Sequence, residues 1–513
     1  MTRAAIKSKA VAARRFNTEN PIEADFASGS FESNLTVFRK GPKNNQPGKT
    51  QLWLFKEVRD AEHFSEDQQL LHQIKARCEV FAAWQYESFV NEGKTQPKYY
   101  LIKQPGTLDR VASKQVVGYR SINQILNDRS REDEEALFLS PDNLKAFAEM
   151  MITHLWIAGS DFKSAHLGID LVGRLVSLDF GESLIPFIYD EMLYIGRNWN
   201  FNITPEDLFS APFFKTYHTG NFFVDTLKSR FPEAFDFLKG NDAFQKQLCV
   251  AVLKRCIFPN FISFQALELF QNHAEYPTAL EAFMVKRTLA LRNAALQHPL
   301  FIALMQQAGR AVYRTIRDNL LAGTLENCRY FRNDKAAYRA RCLEELEFNF
   351  TALAALSKLK SSTLQEVEAA QLLKTIQQFC ESEYARLNHL CQTAFFKKGL
   401  VDKITLLKQL WDRMNHAILA ATSSERLGNH AERFFKEAAI IAHHRRYSKI
   451  NTFFGHSTST SWTNFNRTFA DYAGTYAHLI QAVLNNKSSR TVTSAEEAHS
   501  ISGYNEYRKA FYA

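Results

Sequence analysis

The chain has 513 residues, more than one ordinary hydrophobic core accommodates, so two or three domains are expected. Its 45% hydrophobic and 23% charged residues exclude wholesale disorder, its 13 Pro and 20 Gly are too few for an all-β architecture, and no run approaches the roughly 20 apolar residues needed to span a bilayer. The net charge of +9 favours anionic partners such as phosphate esters, nucleic acid or an acidic membrane surface, without implying specific nucleic-acid recognition.

Seven cysteines form no Cys-x-x-Cys pair, and their odd number argues against a complete disulfide framework, so a cytosolic place of action is expected. The first residues hold Arg3, Lys7, Lys9, Arg14 and Arg15 without an acidic residue or the apolar core of a signal peptide. They read as a disordered basic tail over residues 1–20.

From Ser33 to Phe38 the pattern alternates, a polar loop follows over Gly41 to Thr50, and Gln51 to Phe55 is a second apolar run: a hairpin with a long turn. Ser65 to Phe89 reads as a helix because Leu70, Ile74, Cys78, Phe81 and Trp84 recur at helical spacing. Strands are expected at Lys98 to Ile102 and Val111 to Val117, a helix near Ile122 to Leu126, and an acidic exposed run around Asp128 to Glu135. A helix over Pro141 to Ile157 and a loop over Ala158 to His166 then lead into short strands at Gly168 to Asp170 and Leu175 to Leu178.

Beyond Ile185 the pattern is helical, with loops around Arg197 to Thr204 and Tyr217 to Asn221. Helices are expected at Thr278 to Ala322, Lys335 to Lys358, Thr363 to Gly399, Val401 to Ala421, Ser423 to Arg446 and Asn464 to Leu484. In Thr363 to Gly399, Thr363 and Glu366 can form a capping box, Leu373, Ile376, Cys380, Tyr384, Leu387 and Cys391 share one face, and Lys397-Lys398-Gly399 ends the helix. A helical bundle follows from these elements.

Three segments gain meaning together. Asp179-Phe180-Gly181 follows an apolar strand, Asp161 lies in the loop upstream with Lys163 close behind, and Lys56 ends the run Leu52 to Phe55. The arrangement resembles the protein-kinase superfamily, whose catalytic Asp, Lys and Asn and metal-binding Asp-Phe-Gly keep the intervals seen here in Asp161, Lys163, His166 and Asp179. More narrowly it resembles divergent Legionella-type bacterial effector kinases, and distantly the HipA-like and phosphoinositide kinases.

With the helical pattern giving an all-helical domain over 276–490 and a C-terminal tail over 491–513, the resemblance, which covers about Asp25 to Phe270, implies a bilobal kinase-like domain over residues 21–275, with a sheet lobe to about 117 and a helical lobe from 118, an α+β fold overall. It implies ATP with Mg²⁺ or Mn²⁺, an inositol phosphate as a candidate activator, and secretion into a host cell with a host protein or phosphoinositide as substrate. Phosphoryl transfer needs the nucleotide positioned and its charge neutralised. On this resemblance Asp179 ligates the metal, Lys56 contacts the α/β-phosphates, Asp161 orients or deprotonates the acceptor, and Lys163 steadies the γ-phosphate.

Glu79 would hold Lys56, with Glu66 and Glu87 as competitors. Ser28-Gly29-Ser30-Phe31 would be a reduced phosphate loop, and Val111 to Ser121 would join the lobes beside the adenine. His166 stands where the family has its second metal-binding Asn, so either it serves as that metal contact, one metal suffices, His166 contacts phosphate, or activity is lost. No His-Arg precedes Asp161.

Thr204-Pro205-Glu206 lies where an Ala-Pro-Glu would fall, yet reads first as a helix start with Thr204 as N-cap. His443 to Arg446 with Lys449 suits a helix C-terminus or an anion, and Arg310, Arg314 and Arg317 suit a solvated face as well as the arginine finger of a GTPase regulator. The expectation is a kinase acting on a protein hydroxyl. A phosphoinositide kinase or an inactive pseudokinase scaffold is the alternative, and the oligomeric state is not legible.

Overall fold

The computed structural model describes residues 10–12, 33–40, 51–58, 64–93, 96–103, 108–114, 116–128, 131–160, 162, 166–189, 200–217, 235–270, 275–325, 335–361, 368–393, 398–421, 424–443 and 460–472. The chain divides into two compact units, residues 1–350 and 351–513. The first is a small sheet followed by helices, and the second is a helical bundle, so the fold class is α+β with a helical second part. The first unit runs past residue 275, where the sequence reading ended its first domain.

In the first unit, β1 (Ala10–Ala12), β2 (Ser33–Lys40), β3 (Gln51–Val58), β4 (Tyr99–Lys103) and β5 (Arg110–Lys114) form one sheet in the order β1-β4-β5-β3-β2. The expected hairpin is present: β2 and β3 pair antiparallel along their length, with Leu35 opposite Lys56. β5 stops at Lys114, short of the expected Val117. A correction falls at β1, inside the segment read as a disordered tail. Ala-Val-Ala pairs parallel with β4 because an edge strand offers unpaired backbone groups that even a short apolar run can satisfy.

Between β3 and β4 runs α1 (Glu66–Phe89). The Ser65 hydroxyl accepts from the Gln68 amide at 3.3 Å while the Gln68 side chain accepts from the Ser65 amide at 2.9 Å, a capping box that fixes the start. Its second half is buried all round, from Arg77 to Phe89, so it is a core helix rather than an amphipathic surface one. The Trp84 indole donates to the Ile262 carbonyl at 2.9 Å and the Gln85 amide to that of Ser263 at 2.8 Å, tying α1 to residues far along the chain.

A second sheet joins β6 (Arg120–Ser121), β7 (Leu167–Ile169) and β8 (Leu175–Ser177), all antiparallel. The helices of this part of the chain are α2 (Ile122–Asp128), α3 (Arg131–Leu139), α4 (Pro141–Trp156), α5 (Ile185–Ile188), α6 (Pro205–Ser210), α7 (Asp242–Ile257) and α8 (Asn260–Ser263), with α2 and α4 packing on this sheet. The acidic run after Asp128 turns out to enter α3, whose Phe138 is fully buried against Phe147 and Phe235.

The single helix expected over Thr278 to Ala322 is instead α9 (Glu275–Ala295), α10 (Pro299–Gln307), α11 (Gly309–Asn319) and a π-helical turn, Leu320–Thr324. Pro299 cannot continue α9 and takes the first position of α10, where its missing N–H costs nothing. α12 (Lys335–Ser361) follows.

The second unit packs α13 (Glu368–Thr393), α14 (Lys398–Ala420) and α15 (Ser424–His443) against one another, with α16 (Thr460–Thr468) against α13 and α15. Lys398 and Gly399, expected to end a helix, open α14. Phe379, Phe435, Trp462, Phe465 and Phe469 form the aromatic core, with Trp462 stacked on Phe465 at 5.3 Å and Phe465 4.5 Å from Phe469. Lys358 donates to the Leu419 and Ala421 carbonyls at 2.7 Å, satisfying the open end of α14. Thr363, Glu366, Arg445, Arg446, Lys449 and the tail 491–513 lie outside the described residues.

Candidate functional site

The site grows from the β7–β8 hairpin. Pairing continues past the strand ends, the Leu178 amide donating to the His166 carbonyl at 2.7 Å, so His166 and Asp179 emerge side by side. His166 Nε2 lies 3.5 Å from Asp179 Oδ2. The Asp179 amide donates to the Tyr99 hydroxyl at 3.0 Å, and Oδ1 accepts from the Gly181 amide at 3.2 Å.

Asp179 has φ +55, a left-handed conformation that costs an L-residue energy and concentrates where function needs it. Beside it Phe180 is buried between Tyr86, at 4.6 Å, and Tyr99, at 5.3 Å. The tripeptide thus sends its carboxylate toward His166 and its ring into the core.

The loop that enters Asp161 is laced to the segment after Gly181. The Leu184 amide donates to the Ile157 carbonyl at 2.8 Å, that of Ile185 to Ala158 at 3.4 Å, and that of Ser160 to Glu182 at 2.9 Å. Asp161 and Lys163 lie outside the described residues, but their neighbours Ser160 and Phe162 are both buried. Gly29, Ser30 and Phe31 also lie outside them, as does the side chain of Lys56, whose backbone sits in β3 opposite Leu35 and Val111. Glu79 is buried in the middle of α1, Glu87 is buried nearer its end, and Glu66 is exposed in its first turn.

Residues with no local signature hold this loop. The Tyr217 hydroxyl donates to the Gly159 carbonyl at 3.2 Å. Arg287, from α9, is buried and donates to the Trp156 carbonyl at 3.2 Å and to those of Leu155 and Phe201. Gly159 is required, since a Cβ there would lie 2.7 Å from the His154 ring. Burial, aided by the charge of Arg287, pushes the His154 imidazole down to about 3, so it stays neutral.

Thr204 caps α6 with Pro205 in its first turn, as read from sequence. Burial opposes the charge of Asp207. Hydrogen bonds from Thr216, Thr204 and the Lys215 amide nonetheless outweigh it and hold the carboxyl below its usual range.

The turn after α1 is clasped as well. Asn91 and Glu92 both have positive φ, at 47 and 51. Lys254 of α7 donates to the Phe89 carbonyl at 2.5 Å, to Glu149 Oε1 at 2.5 Å and to Glu92 at 3.3 Å, while Glu149 Oε2 accepts from the Asn91 amide at 2.8 Å. Burial raises the cost of charge on Glu92, but Lys254 and Lys145 overcome it and lower its pKa. Gly323 of the π-turn packs on Glu92 with no room for a Cβ, and the Thr324 hydroxyl donates to the Ser88 carbonyl at 3.1 Å.

Asp179 and His166 form a mixed oxygen and nitrogen donor pair; among the described residues no group of three or more His, Cys, Asp and Glu could hold a metal ion. Such a pair fits an ion that takes most of its ligands from substrate phosphate and water, and imidazole suits Mn²⁺ better than Mg²⁺. A scan against protein-family models finds no match, and no curated protein matches the chain significantly.

Proposed function

We propose that residues 1–350 form a divergent bilobal kinase-like unit that transfers the γ-phosphoryl of ATP to a protein hydroxyl. The observation that carries this reading is the Asp179 carboxylate, held at positive φ beside His166 while Phe180 is buried between Tyr86 and Tyr99. The order β2, β3, α1, β4, β5, with β3 an inner strand between β5 and β2 and bearing Lys56, supports it.

In this reading Lys56 binds the α/β-phosphates and Glu79 orients it. Asp161, from the loop braced by Tyr217 and Arg287, accepts the proton of the acceptor hydroxyl, and Lys163 holds the γ-phosphate. Asp179 and His166 would hold Mg²⁺ or Mn²⁺, which supplies neutralising charge to the phosphates.

The second reading, a nucleotide-binding scaffold without turnover, is favoured by the same pair. An imidazole 3.5 Å from the carboxylate can occupy it in place of an ion. Incubation with γ-labelled ATP, Mn²⁺ or Mg²⁺ and a cell extract, beside Asp179→Ala, separates the two. Label in protein from the wild type alone is the expected result, label in lipid reassigns the acceptor, and nucleotide binding without transfer selects the scaffold.

A further inference from the structure

Two turns of the first unit meet at one surface. Residues 116–119 follow β5 and residues 170–174 join β7 to β8, and the Leu171 amide donates to the Val117 carbonyl at 3.2 Å. Gly118, at φ +67, lies flat against Leu171, whose Cβ and Cδ1 would meet any side chain there. At this junction Val117, Leu171 and Val172 are 72%, 74% and 69% exposed, well above the other exposed large apolar side chains among the described residues. Three adjacent aliphatic groups left in water have a cost that a folded protein ordinarily avoids.

Their exposure does not come from a slack loop. Asp170 Oδ1 accepts from the Val172 and Arg174 amides at 3.0 Å, and Oδ2 accepts two hydrogen bonds from the Arg174 guanidinium at 2.9 and 2.7 Å. The Asn143 amide donates to the Gly173 carbonyl at 2.9 Å, fastening the turn to α4. The turn is pinned from behind, and its aliphatic side chains are held out.

The charges beside this tip have one sign. Lys114 and Arg120 bracket the first turn in sequence, while Asp170, the one carboxylate within the turns, is buried and ion-paired with Arg174, so that pair adds no net charge. We infer that Val117, Leu171 and Val172 form a membrane-contacting tip that inserts into the interface of an anionic bilayer, with Lys114 and Arg120 meeting the lipid headgroups. Aliphatic groups on a rigid support beside cations match that interface on both counts, apolar depth and surface charge. A basic rim disfavours a second copy of the same patch, since like charges would oppose one another. The inference is independent of any phosphotransfer.

The test uses the full chain with vesicles of phosphatidylcholine alone or mixed with phosphatidylserine. Wild type is expected to sediment with the mixed vesicles, less so at high salt, and Leu171→Asp/Val172→Asp to lose about tenfold or more of that binding. Leu300→Asp, at a half-exposed leucine on α10, is expected to bind as wild type does. Val172→Trp should gain quenching by brominated lipid over the wild-type background, and unchanged melting verifies each variant's fold.

Wild type that ignores both vesicles would overturn the inference, as would equal binding by the double Asp variant. Self-association in sedimentation velocity that the double variant abolishes, with no vesicle binding, would assign the patch to a second copy instead.

Discussion

The two units bury their polar groups differently. In the first, Lys254, Glu149, Glu92, Arg255, Arg287 and Asp207 lie out of solvent, and most of them hold backbone segments or one another beside the candidate site. In the second, the core is an aromatic cluster with fewer buried charges: Gln377 and Asn415 share a buried hydrogen bond, Glu383 pairs with Arg386, and Lys403 donates to the Ala442 carbonyl. Buried charge is costly and seldom the cheapest route to stability, whereas it specifies one arrangement strongly. The contrast teaches that one unit is built to fix geometry and the other to pack.

The sharpest test of that contrast is Lys254→Met, which strands the Glu149 carboxylate in the interior and leaves Glu92 with Lys145 alone. A loss of about 3–5 kcal/mol is expected in denaturant unfolding of the first unit, with the second unit's transition unchanged. Phe465→Ala should cost a comparable ~3–5 kcal/mol in the other transition, by cavity formation rather than by stranded charge. If the two variants move the same transition, the division into two units fails.

Arg287→Met comes next, at about 2–3 kcal/mol, because three buried carbonyls lose their donor. It should also raise hydrogen exchange around Gly159 more than around the sheet. His154 gives a pH signature: the unfolded chain takes up its proton near 6.5 and the folded one only near 3, so stability falls as pH drops through that window. The slope is ~1.4 kcal/mol per unit, about 2 kcal/mol by pH 5, and His154→Gln should remove it.

The smallest effect belongs to the second unit. Gln377→Leu/Asn415→Leu replaces both partners of a buried pair and should change stability by no more than about 1 kcal/mol.

Much of the fold was legible because it is written in local pattern. The capping box at Ser65, the alternation of β2 and β3 and the Pro-started α4 and α6 each carry their signal within a few residues. The break at Pro299 was legible in principle, since a proline inside a helical pattern is a stop signal. In the site, the spacing of His166 and Asp179 survived into three dimensions as adjacency.

Arg287, Tyr217, Tyr99 and Lys254 were not legible. Each reaches its target from a distant part of the chain, and in sequence each resembles any cation or aromatic of its element. β1 was hidden for another reason: three residues carry no periodicity, and only a waiting edge makes them a strand.

The π-turn at Leu320–Thr324 bears on how the protein can be divided at the bench. A fragment ending near residue 275 removes Arg287 from the carbonyls it serves and Gly323 and Thr324 from the turn after α1, uncovering Glu92 and the end of that helix. Such a fragment is expected to be insoluble or proteolysed. The smallest piece that can be purified with its N-terminal sheet intact should extend to about residue 350, through the helix that carries Tyr338 and Phe350 onto Phe261 and Tyr313.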